Sequence, residues 1–75
     1  MPRMDAELFK YHTKAAGFTL PDVCDWLHMP STSLYNRLGG KMEFRRDEME
    51  DWMQHVGVTD PRPVFFPNLI KAKED

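Results

Sequence analysis

Four short polar side chains, Ser31, Thr32, Ser33 and Asn36, are followed within ten residues by the cations Arg37, Lys41, Arg45 and Arg46. Those residue types in that order suit duplex DNA. An asparagine amide bonds adenine N6 and N7 together, a threonine methyl packs on the thymine methyl, and Arg and Lys neutralise phosphates. Cys24 and His28, four apart, would share a helix face and invite a zinc reading. His12 and His55 are the only other histidines, and no C-x-x-C or H-E-x-x-H pattern occurs, so a buried cysteine is the better reading and no metal or other cofactor is expected. Neither a G-x-S-x-G nucleophile motif nor a glycine-rich phosphate loop accompanies Ser31 or Ser33, so no enzyme is expected.

Helices must position these side chains. Met4, Leu8, Tyr11 and Ala15 recur at helical spacing and Gly17 supplies a stop, which predicts helix 1 over about 4 to 16. Thr19 can cap helix 2, predicted over about 20 to 27, with Pro21 in its first turn and Asp22 completing a capping box. Leu20, Val23, Cys24 and Leu27 share one face, and His28-Met29-Pro30 breaks the helix because a residue before proline disfavours the α region. Helix 3 opens at Pro30 or Ser31, carries Leu34 and Leu38 and ends in Gly39-Gly40. At about 100° per residue from Leu34, Leu38 lies near 40° while Thr32 and Asn36 lie near 160° and 200°, so the leucines face the core and the polar pair points away, flanked by Ser33 and Tyr35.

After Phe44, a fourth helix carries Met49, Trp52, Met53 and Val56 on one face, favours Asp47 and Glu48 at its positive end and stops at Gly57. Pro61, Pro63 and Pro67 exclude a regular helix through 61 to 67, which predicts an extended arm. Val64, Phe65 and Phe66, with Leu69 and Ile70 beyond, are too apolar to stay solvated, so the arm either covers the core or mediates dimer contact. The expected fold is all-α: a compact bundle of four or five helices containing a helix-turn-helix over 1 to 58, with an extended C-terminal arm over 59 to 75.

Seventy-five residues bound this to one small domain that must bury most of its apolar side chains in a single core. One cysteine, no secretory signal and no 18-residue apolar run predict a cytoplasmic protein without a membrane segment. The net charge of −2 hides a split. Residues 28 to 46 set Arg37, Lys41, Arg45 and Arg46 against Glu43, whereas 47 to 60 hold Asp47, Glu48, Glu50, Asp51 and Asp60 without Lys or Arg, so one basic and one acidic surface are expected.

The run LPDVCDWLHMPSTSLYNRLGG after Thr19 resembles the Cro/cI-type (XRE) helix-turn-helix family of phage and bacterial regulators, over roughly residues 5 to 58. Cys24 stands in a slot usually held by a small alanine, Met29 in the apolar turn slot, and Leu34 and Leu38 in the two core slots of the reading helix. Three positions depart from the pattern: His28 replaces a turn glycine, Pro30 a Ser or Gly, and Arg45 a Ser or Thr cap. The resemblance implies base reading by Ser31, Thr32, Ser33 and Asn36 and phosphate contact by Thr19, Tyr35, Arg37, Lys41, Arg45 and Arg46. It further implies a homodimeric repressor on duplex DNA, with no small-molecule substrate. A protein-binding module, an antirepressor or accessory factor keeping the fold without reading DNA, is the alternative that the negative charge and the acidic stretch favour.

Overall fold

The computed structural model describes residues 4–67, which form five helices and no strand. No helix among the described residues is long and apolar enough to cross a membrane.

Helix α1 (Ala6–Ala15) starts where Asp5, in extended conformation, accepts the Leu8 N–H at 3.0 Å. Its inward face keeps Leu8 against the core but otherwise differs from the expected one. Phe9 and Thr13 are buried, while Tyr11 is 64% exposed and Ala15 faces solvent. Met4 is buried but lies ahead of the helix. The reason lies across the core: Trp52 donates its indole N–H to the Thr13 hydroxyl at 2.9 Å, and that hydroxyl donates to the Phe9 carbonyl at 2.8 Å. A polar residue is thus the better inward neighbour, because an indole N–H left unpaired in the core would be costly.

Helix α2 (Leu20–Leu27) carries the expected capping box, Thr19 and Asp22 each accepting the other's backbone N–H. It ends at His28 (φ 55°, ψ 47°), the one non-glycine residue with positive φ among those described. The turn therefore keeps the left-handed geometry that a glycine would adopt without strain, and His28 carries the steric cost. Met29 N–H bonds the Cys24 carbonyl at 3.1 Å and His28 N–H that of Asp25 at 3.4 Å, the paired bonds of a Schellman ending. Helix α3 (Ser31–Leu38) follows after Met29 and Pro30, with Leu34 and Leu38 buried.

Helix α4 (Arg46–Val56) buries Trp52 completely and ends at Gly57 in the left-handed region. The rings of Phe9, Phe44, Trp52 and Phe65 pack together, Phe9 and Trp52 stacked at 4.4 Å and Trp52 meeting Phe65 edge-on at 5.4 Å. Helix α2 packs on α3 and α4, and α1 on α4 and α5.

The expected extended run through 61 to 67 is overturned by α5 (Arg62–Phe65), a single helical turn. Proline breaks a helix by removing an N–H donor and clashing with the preceding turn. Pro61 at the N-cap and Pro63 in the first turn have no preceding turn to clash with, and their missing donors would find no helical partner there. Val64 and Phe65 are buried in the core, and the Val64 carbonyl accepts the Asp5 N–H at 2.7 Å, so the segment covers the core and ties down the start of α1. The part of the anticipated arm containing Leu69 and Ile70 lies outside the described residues.

Candidate functional site

Burial of Leu34 and Leu38 fixes the rotation of α3, and with it which side chains the helix offers to solvent. Ser31, Thr32 and Tyr35 are exposed, Tyr35 by 55%, and Ser33 and Asn36 are half-exposed at the margins. Ser31 sits one turn before Tyr35, and Thr32 one turn before Asn36, so the four make a continuous polar stripe. The Asn36 backbone carbonyl accepts the N–H groups of Lys41 (2.9 Å) and Met42 (3.2 Å), which closes the chain behind the helix.

The cations are arranged differently from the expectation. Arg37 turns back toward the protein: its Nε donates to Glu48 Oε1 at 3.0 Å, Nη2 to Oε2 at 3.4 Å and Nη1 to the Ser33 carbonyl at 3.2 Å. Both side chains of this pair are nearly buried, 11% and 13% exposed. Arg45 meets Asp47 at 3.5 Å and Arg46 meets Glu50 at 3.4 Å, all four well exposed. Lys41 is exposed and has no side-chain partner among the described residues. The expected separation into a basic and an acidic surface therefore does not form. Its acidic half, Asp47, Glu48 and Glu50 on α4, sits within reach of three of the four cations. Exposed pairs contribute little, on the order of 0 to 1 kcal/mol, so Arg45 and Arg46 can exchange their carboxylates for another anion. Arg37 cannot do so without leaving a nearly buried carboxylate with no counter-charge and only a backbone N–H as partner.

Thr19 is exposed at the start of α2, and its hydroxyl donates to Asp22 Oδ2 at 3.1 Å. It is thereby held beside a carboxylate, an unfavourable neighbour for a phosphate. Cys24 is half-buried, and burial pushes its thiol up from the ordinary cysteine range. No group of three or more His, Cys, Asp or Glu among the described residues could hold a metal ion.

The sequence reading placed Glu48 at the positive end of α4 and missed its pairing with Arg37. Besides Arg37 it accepts the Arg45 N–H at 2.9 Å, the reverse half of a capping box; the other half is absent because an arginine side chain accepts no hydrogen bond. A glutamate three residues past the chain's entry into α4 was the available signal. Comparison with known proteins returned no match among family models, curated sequences or solved structures.

Proposed function

We propose that this chain is a helix-turn-helix regulator that binds duplex DNA, with α3 in the major groove. One observation carries the reading: a short α3, joined to α2 by a tight turn, buries Leu34 and Leu38 and offers Ser31, Thr32, Tyr35 and Asn36 on the opposite side. Asn36 and Thr32 then read base edges, Ser31 and Ser33 assist through short or water-borne contacts, and Tyr35 with Lys41, Arg45 and Arg46 holds the backbone. Arg37 is a positioning residue that ties α3 to the first turn of α4. In this reading Thr19 contributes its place beside the duplex and no charge.

A single eight-residue helix covers few base pairs, so we propose a dimer whose two α3 helices enter successive major grooves about 34 Å apart and repress by occupying a promoter. The test is a fluorescence-anisotropy titration against duplexes from around its own gene and against random duplex, at several salt concentrations, with sedimentation of the complex. Salt-dependent binding that favours one duplex supports the reading. No salt-dependent binding to any of these duplexes refutes it.

The neutralised cations favour a second reading, a protein-binding module, since Arg37, Arg45 and Arg46 each face a carboxylate and the chain carries a net charge of −2. A stoichiometric protein partner that duplex DNA fails to displace would put that reading first.

A further inference from the structure

A groove of about 310 Å³ opens beside α5, walled by the apolar side chains of Met4, Met42, Phe44, Met49, Phe65 and Phe66, with Arg37 and Glu43 completing its lining. Water filling it would lie largely against thioether and aromatic surface that is better buried. Met42 (46% exposed) and Phe66 (39%) are among the few large apolar residues left open to solvent, and both belong to this groove. Methionine walls adjust readily to a branched aliphatic side chain.

We infer that the groove is the docking site of this chain's own C-terminal segment, residues 68–75, with Leu69 and Ile70 as the inserted side chains. Phe66 walls the groove and Pro67 is the last described residue, so Leu69 is tethered three residues from the wall, within about 10 Å of it. Leu69-Ile70 is the one place in the sequence where two Leu, Ile or Val residues stand side by side, and Lys71, Lys73, Glu74 and Asp75 follow to keep the remainder in water. A segment on so short a tether has an effective concentration of about millimolar or more, roughly a thousandfold above that of a second copy at micromolar protein. Proximity therefore selects the chain's own segment. The inference does not rest on DNA binding.

Ile70 is the sole isoleucine, so its methyl gives an unambiguous signal in methyl-labelled protein. The intact chain, labelled at isoleucine and methionine methyls together, is expected to show a nuclear Overhauser contact from Ile70 to Met42 or Met49. An equimolar mixture of isoleucine-labelled and methionine-labelled chains is expected to show none. The double substitution Leu69→Asp with Ile70→Asp should move the methyl signals of Met42 and Met49 and leave those of Met29 and Met53, which lie outside the groove, in place. Absence of the contact in the doubly labelled chain overturns the inference. So does its presence in the mixture, which would seat a second copy in the groove, and so do unmoved Met42 and Met49 signals in the variant.

Discussion

Replacing Arg37 by methionine keeps most of the aliphatic stem and removes the charge, and it separates a positioning role from a phosphate contact in one variant. The guanidinium makes two bonds to Glu48 and one to the Ser33 carbonyl, between side chains only about a tenth exposed. Breaking a fully buried ion pair by removing one partner costs about 3 to 5 kcal/mol. Here Glu48 keeps the Arg45 N–H and some solvent, so the loss should fall nearer the value of a charged hydrogen bond, about 2 kcal/mol. For a domain of this size that lowers the melting midpoint by roughly 10 °C. The salt dependence should not follow. Three free or exchangeable cations per protomer, Lys41, Arg45 and Arg46, give a slope of log K against log salt of about −2.7 per protomer, or about −5 for a dimer. Counting Arg37 would make it about −7. The assay is thermal unfolding of Arg37→Met beside its salt titration on operator duplex. An unchanged midpoint with a slope reduced by about two per dimer would refute the positioning role and return Arg37 to the phosphates.

Lys41→Ala should weaken specific and random duplex alike and reduce the slope by about one per protomer, whereas Asn36→Ala should cost about 1 to 3 kcal/mol on the specific duplex alone and leave the slope; identical patterns would mean that α3 does not lie in the groove. Thr13→Val, close in volume, should cost about 1 to 3 kcal/mol by leaving the Trp52 N–H unpaired, and Trp52→Ala about 3 to 5 kcal/mol; an unaltered denaturation midpoint for Thr13→Val would show that the indole has another partner. His28→Gly should stabilise by about 0.5 to 1 kcal/mol, because glycine takes the left-handed conformation freely, and a lower melting midpoint would argue against that turn geometry. Hydrogen bonds from the Arg62 side chain and backbone hold the Asp60 carboxyl below the usual aspartate range. Its contribution to α5 is thus complete above the ordinary aspartate pKa and lost as pH falls through the lowered value; an NMR titration of Asp60 in Arg62→Ala should show its midpoint rise, and no movement would exclude Arg62 as the cause.

Helices α2 to α4 were legible because their ends are written in local chemistry: Thr19 and Asp22, then Pro30, Gly39 and Gly57. The outward stripe of α3 was equally legible, since Leu34 and Leu38 leave it only one rotation. The span of α1 was legible but part of its inward face was not, because apolar periodicity favours Tyr11 and Ala15, while the fully buried pair, Phe9 and Thr13, includes a threonine whose partner, Trp52, stands 39 residues away. Prolines hid α5, since only their placement at its start, fixed by burial of Val64 and Phe65, makes them compatible with a helical turn. The charge split failed for a related reason. Sequence order separates Arg37 from Glu48 by 11 residues and a loop, and only the packed helices bring them into contact.

The hydrogen bond from Asp5 to Val64 has a bearing on how the chain acquires its structure. The ring cluster around Phe9 and Trp52 stays open on one side until Phe65 arrives, and Phe65 lies 56 residues after Phe9. A nascent chain that has emerged only as far as Gly57 lacks Val64 and Phe65, two buried residues of the core, and leaves that hydrophobic face unfilled, so cooperative folding waits for the synthesis of α5. Translation speed before that point should leave the final fold unaffected, whereas a pause that holds the chain short of Phe65 lengthens the interval in which that face can meet a chaperone or another nascent chain.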